Sequence, residues 1–77
     1  MKVKIKAYGA VRRYLKEQGG TAELDLAGQV RVRGLLAVLG VPLVAVWRAS
    51  INGRLVSQED LVPDGAEVSL FSLVGGG

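Results

Sequence analysis

Residues 49–71 read ASINGRLVSQEDLVPDGAEVSLF, and their succession of strand and turn signals decides the fold. Asn52-Gly53 is the strongest short hairpin signal there is, because both residues tolerate positive φ. It predicts a strand over residues 44–51 and a return over 54–56. Trp47, Ala49 and Ile51 share one face of the first strand, so Trp47 is expected in the core. Gln58 to Leu61 suits one helical turn. Pro63-Asp64-Gly65 is a tight turn, since proline presets φ and glycine accepts φ > 0. Residues 67–74 follow as the last strand. Val68 and Leu70 lie on one of its faces, and Ser69, Phe71 and Leu73 on the other.

The N-terminal end carries the matching signal. Residues 1–8, MKVKIKAY, alternate strictly, with Val3, Ile5 and Ala7 on one face and Lys2, Lys4 and Lys6 on the other. Residues 10–18 read as a short helix, with Val11, Tyr14 and Leu15 at i, i+3, i+4 spacing, stopped by Gly19-Gly20. Residues 21–27 alternate again, Leu24 and Leu26 against Glu23 and Asp25, and pair hairpin-fashion with the first strand. Val32, Leu35, Leu36 and Leu39 then trace the stripe of the main helix, ended by Gly40 and Pro42. Its start is poor. Arg31 and Arg33 sit where the helix dipole disfavours cations, and Gly34 costs about 1 kcal/mol relative to Ala.

One main helix against a mixed sheet of four to five short strands is an α+β layout, a ubiquitin-like β-grasp. Both terminal strands have the apolar patterning of a sheet centre. They are therefore expected side by side and parallel, with the turn-rich stretch between as the crossover.

Composition narrows what such a fold can do. At 77 residues, 49% apolar and 22% charged, the chain is one globular domain, not a disordered or low-complexity one. A domain this small buries roughly 60% of its unfolded surface, so nearly every apolar side chain is needed inside. There is no cysteine and no histidine. That excludes disulfides, thiolate or imidazole metal sites, Cys–His pairs and Ser–His–Asp triads. No bound cofactor and no metal is expected. No apolar run approaches the roughly 20 residues of a membrane span, and no leader pattern opens the chain. A net charge of +3 does not call for nucleic acid as a partner. The absence of cysteine suits a cytoplasmic protein.

The reactive feature is the end of the chain. Eleven of the 77 residues are glycine, about twice the usual share, and three are the last three, Gly75-Gly76-Gly77. The reading is a domain over residues 1–74 followed by a flexible glycine tail over 75–77. Without Cβ atoms the tail fits a narrow channel. What it offers is the main-chain carboxylate of Gly77. A carboxylate is anionic and resonance-stabilised, hence a poor electrophile, and it needs activation such as adenylation by ATP. The chain has no phosphate-cradling motif and no thiol nucleophile, so the activator is a separate protein.

At this point the residues resemble a family. Residues 49–71 look like the small subunit of molybdopterin synthase: the Asn after the third strand, the LVS return, the L-x-D-G-x-E-V approach and the terminal diglycine. KIKAYGAVRRYL at the start is similar to the same subunit. LFSLVGGG at the end is equally similar to the thiamin-biosynthesis sulfur carrier, which usually lacks the short first helix. The resemblance implies a β-grasp sulfur carrier, a protein substrate and not an enzyme. Its terminal glycine would be adenylated by a ubiquitin-activating-type enzyme that uses ATP, then converted to a thiocarboxylate. Carried over, Gly77 holds the thiocarboxylate, with Gly76 and Gly75 in the enzyme's channel. The acceptor would be a large molybdopterin synthase subunit or a thiazole synthase. Arg31 and Arg33 stand where the family often has Thr and Asp opening the main helix, a departure that bears on the helix cap and on partner choice.

Alternation also marks a docking face. Phe71 and Leu73 point away from the helix and share the open face with Lys2, Lys4 and Lys6, an apolar centre with a charged rim. The expected partner-binding residues are Phe71, Leu73, Val74, Arg54, Lys4 and Lys6. Asp64 and Glu67, one in a turn and one opening a strand, are not expected to be a catalytic pair, nor are Glu59 and Asp60. Two other functions use the same residues: a modifier joined through Gly77 to lysines of other proteins, and a binding module whose tail is inert.

Overall fold

The computed structural model describes residues 1–72, and the side chains of all of these but 16–18. Strand β1 (Lys2–Tyr8) alternates as its sequence predicts, with Val3, Ile5 and Ala7 buried and the three lysines exposed. The helix expected after it is a 3₁₀ segment, Gly9–Gln18, which leaves helical geometry at Leu15 (φ −123°, ψ 24°). The kink brings Leu15 into the core beside Val11 and leaves Tyr14 facing solvent. The segment closes back on the sheet through Gly20 N to Leu15 O (2.9 Å) and Ala7 N to Gly20 O (2.8 Å). Strand β2 (Thr21–Asp25) then runs antiparallel to β1, Lys2 opposite Asp25 and Lys6 opposite Thr21.

The main helix α1 (Val32–Leu39) buries Val32, Leu35 and Leu36, as the stripe requires. Each such side chain contributes about 1.5–3 kcal/mol of burial. No side chain caps its start. A loop does so instead. Val32 N donates to Asp60 O at 3.0 Å and Arg33 N to Gln58 O at 2.9 Å, so two of the orphan first-turn donors are met by backbone. The two arginines hold that loop. Arg31 Nη1 donates to Glu59 O (2.6 Å), and Arg33 pairs with the Glu59 carboxylate (3.4 Å). Within the loop, Ser57 N donates to Asp60 Oδ2 (2.8 Å) and Glu59 N to Ser57 Oγ (3.1 Å). Glu59 and Asp60 therefore brace a helix start. The helical turn expected over Gln58 to Leu61 is absent, because Leu61–Val62 (β6) pairs antiparallel with Val30–Arg31 (β3) just ahead of α1.

Gly34 has a reason to be in the helix. A Cβ there would lie 2.7 Å from Val30 Cγ2. Gly34→Ala is therefore expected to lose on the order of 1 kcal/mol net, the packing conflict outweighing the gain in helix propensity. The double variant Val30→Ala, Gly34→Ala should lack that conflict. Urea unfolding of both against the single Val30→Ala checks this; a Gly34→Ala more stable than wild type refutes it.

Strands β4 (Arg48–Ile51) and β5 (Arg54–Val56) form the expected hairpin, with Asn52 at φ 52° and Gly53 at φ 85°. Asn52 is also stitched to the last strand, β7 (Glu67–Phe71): its Oδ1 accepts from Glu67 N and its N donates to Glu67 O, each at 2.9 Å. Strand β4 is shorter than predicted. Pro42 leads into a 3₁₀ turn, Leu43–Ala45, and Trp47 lies in a bend before the strand begins. Parity with Ala49 does not carry back through that bend, so Trp47 is 54% exposed and not in the core.

Among the described residues five strands make one sheet in the order β2-β1-β7-β4-β5, with β1 and β7 parallel at its centre. The turn at Pro63-Asp64-Gly65 docks on the start of β1: Lys2 N donates to Asp64 Oδ1 and Gly65 N to Lys2 O, each at 2.7 Å. The core between sheet and α1 is entirely aliphatic, with Ile5, Val68 and Leu70 from the sheet against Leu35 and Leu36, and Val11 closing one side. Among the described residues no helix is long and apolar enough to cross a membrane.

Candidate docking face and C-terminal root

The face of the sheet away from α1 is built by register. Tyr8 of β1 lies beside Phe71 of β7, and Phe71 beside Arg48 of β4. The next row runs Thr21, Lys6, Ser69, Ser50 and Leu55, and the next Glu23, Lys4 and Glu67. Period two puts all of these side chains on the open side.

The row nearest the C-terminus is aromatic and cationic. The Tyr8 and Phe71 rings stack, centroids 5.1 Å apart and planes within 11°. Such a pair contributes about 0.5–1.5 kcal/mol beyond its area. It leaves Phe71 half-buried and Tyr8 45% exposed. Arg48 lies 5.1 Å over the Trp47 ring. In the middle row the small Ser50 and Ser69 form a shallow floor, with Leu55 (65% exposed) standing at its β5 side. Lys6 Nζ and Glu67 Oε1 are 3.8 Å apart, a pair too exposed to matter for stability. This is an apolar centre, Tyr8, Phe71 and Leu55, with a rim of Lys4, Lys6 and Arg48.

Of the residues expected to bind a partner, the structure brings Lys4, Lys6 and Phe71 together. Arg54 is not with them: it registers with Ile51, whose side chain is on the covered side. Leu73, Val74, Gly75, Gly76 and Gly77 lie outside the described residues. Three residues of the face were missed in the sequence reading, and signals for them existed. Tyr8 continues the parity of Lys2, Lys4 and Lys6. A two-residue Asn-Gly turn forces Ile51 opposite Arg54, hence Ser50 opposite Leu55. Arg48 follows from Ala49, its buried neighbour in β4.

The carboxylates have other work. Asp64 accepts from the Lys2 amide, and Glu67 faces Lys6. Among the described residues no three His, Cys, Asp or Glu side chains gather to hold a metal ion.

Residues 8–77 match the family model described as the ThiS family, nine-tenths of the chain.

The chain belongs to the ThiS family.

It is a ubiquitin-like sulfur carrier and not itself a catalyst. Solved structures share the fold of this ThiS-family chain. SAMP1 from Haloferax volcanii superposes with a TM-score of 0.73 at 16% identity, each chain covered in full. The putative molybdopterin converting factor subunit 1 from Pyrococcus furiosus gives 0.70 at 23% identity, over 94% of this chain and 97% of that one. The complex of subunits 1 and 2 of the molybdopterin-converting factor from Helicobacter pylori gives 0.65 at 19%, again over both chains in full. No curated protein is a significant sequence match to the chain. The β-grasp expected from the strand order is thus the fold that these solved structures share, and the family match bears out the resemblance to the sulfur-carrier family.

Proposed function

We propose that this protein carries sulfur as a thiocarboxylate on Gly77 and delivers it to a molybdopterin precursor held by a large synthase subunit. The observation that carries the reading is positional. The central strand β7 runs out of a rigid sheet beside a docking face, and the sequence beyond it ends in Gly75-Gly76-Gly77. The short helical segment Gly9–Gln18 between β1 and β2 favours the molybdopterin branch. The fold is also that of a subunit that, in the Helicobacter pylori complex, sits with a second subunit, which supports a large-subunit partner. Residues 1–74 act as the carrier body and 75–77 as the part that enters a partner's channel.

The chemistry has two steps. A Gly77 carboxylate oxygen attacks the α-phosphorus of ATP on a ubiquitin-activating-type enzyme. A C–O–P bond forms and pyrophosphate leaves. Sulfide then attacks the acyl carbon, and AMP leaves with the electrons of the broken C–O bond. Where the sulfur arrives as a persulfide, a second thiol cleaves the S–S bond and ends in a disulfide. This chain has no cysteine, so every thiol involved is a partner's. Dependence on ATP and on reduced sulfur suits a cytoplasmic reaction.

Incubation with the host adenylating enzyme, MgATP and a sulfur source is expected to replace one oxygen by one sulfur in the intact mass, within the peptide ending in Gly77. An unchanged mass, under conditions that activate a known carrier, overturns the proposal. The family match itself favours a second reading, sulfur for thiazole formation. Presenting the loaded carrier to each acceptor separates the two: the one that empties it is the partner.

A further inference from the structure

The last described residue, Ser72, is tied down by its side chain. Its Oγ accepts from Ala10 N at 2.8 Å and donates to the Tyr8 carbonyl at 3.5 Å. One step earlier, Trp47 N donates to Phe71 O at 2.8 Å. The end of β7 is thus held by backbone on the β4 side and by a hydroxyl on the β1 side. Gly9 makes room for that hydroxyl. It sits at φ +70°, and a Cβ there would fall 2.3 Å from Ser72 Oγ. Any other residue at position 9 would be strained and would displace the hydroxyl. The hydrogen bonds alone do not explain the arrangement. Ala10 is only partly buried, and water would serve its amide nearly as well. What the two residues fix, and water would not, is the backbone of residue 72.

We infer that Gly9 and Ser72 form a latch that aims residues 73–77 at the activating enzyme's channel, with Ser72 as a positioning residue for the reaction at Gly77. This rests on the carrier reading given above. Five residues reach at most about 17 Å, and a root free to pivot by ~30° would move a tip at that radius by roughly 9 Å. Ordering one residue's backbone shifts an equilibrium by roughly 5- to 30-fold. A carrier without the latch meets that cost on docking. Once Gly77 is seated, its carboxylate and the ATP are unchanged, so the loss falls on KM and not on kcat.

The test uses the full chain, the purified activating enzyme, MgATP and labelled pyrophosphate, with adenylation read by ATP–pyrophosphate exchange. Ser72→Ala is expected to raise KM for the carrier roughly fivefold or more, with kcat unchanged. Ser72→Thr, which keeps the hydroxyl, restores KM. Gly9→Ala, which expels it, resembles Ser72→Ala. Amide exchange reads the latch without any enzyme. The Ala10 amide should exchange roughly tenfold faster in Ser72→Ala, while Ile5 and Leu70 keep their protection. A Ser72→Ala that frees the Ala10 amide but keeps the wild-type KM overturns the inference and leaves the carrier reading intact. So does an Ala10 amide that exchanges alike in both proteins. A loss in kcat alone, or equal loss of protection across the core, assigns Ser72 a general structural role and also overturns it. A wild-type chain that is never adenylated overturns the carrier reading, and the inference with it.

Discussion

A chain lacking Gly76 and Gly77 is expected to fold as the full one does and to be lost as a substrate. Among the described residues the buried side chains that hold the fold run from Val3 to Leu70, and a glycine has no side chain to add to that core. Its melting temperature should stay within about 2 °C of the full chain's, since no cavity, cap or buried hydrogen bond among residues 1–72 is touched. The shortened chain still ends in a carboxylate, that of Gly75, but about 7 Å short of its place. Misplacement by even 1 Å costs reacting groups about a hundredfold, so adenylation should fall by at least that factor. ATP–pyrophosphate exchange with the activating enzyme reads the effect. A shortened carrier that is activated normally would sink the tail-based mechanism. A shortened carrier that retains the cellular role would favour the binding-module reading.

The second large effect concerns the open face. Phe71→Asp and Leu55→Asp are each expected to weaken binding of the activating enzyme roughly 30-fold or more, the scale of an interface hot spot. Burying a carboxylate against an apolar partner surface leaves a charge desolvated and unpaired. Leu55→Asp should do so at almost no cost in stability, because the side chain is already in water. Phe71→Asp also loses the ring stack with Tyr8, about 0.5–1.5 kcal/mol, and should be compared at a temperature where both proteins are folded. Val38→Asp is the control: Val38 is 58% exposed on α1, on the far side of the sheet from the open face. Titration calorimetry against the isolated enzyme decides. Wild-type affinity in both open-face variants, or equal loss in Val38→Asp, removes the face from the mechanism.

Where period and turn chemistry were clean, the sequence was readable. The lysine-edged alternation of β1, the Leu35-Leu36 stripe and the Asn52-Gly53 turn each depend on local geometry alone, and each stands in the structure. The parallel centre followed from them, because only β1 and β7 are patterned for it. The misreadings have a common cause: a distant segment supplied what local chemistry lacked. The start of α1 looked defective because its cap is backbone from residues 58–60, invisible to a search for Ser, Thr, Asp or Asn. The same residues failed to make a helical turn because Leu61 and Val62 were already committed to Val30 and Arg31. Trp47 was assigned inward by extending alternation through a segment that Pro42 had diverted into a turn. At the candidate site, Lys4, Lys6 and Phe71 came from parity within a strand. Leu55 and the separation of Arg54 required register between strands. The Gly9–Ser72 contact joins residues 63 positions apart and has no periodic signature.

The parallel pairing of β1 with β7 carries a consequence for synthesis. The first strand to leave the ribosome waits for the last before the middle of the sheet exists, because β7 lies between β1 and β4. Such long-range pairing delays folding until the loop between the ends closes. A nascent chain interrupted before Glu67 lacks the central strand and exposes the aliphatic side chains meant for it, the state that proteases and chaperones remove. Completion of the fold thus doubles as a proofreading step: the molecules that survive are those translated through β7, a few codons short of the glycines at the end of the sequence.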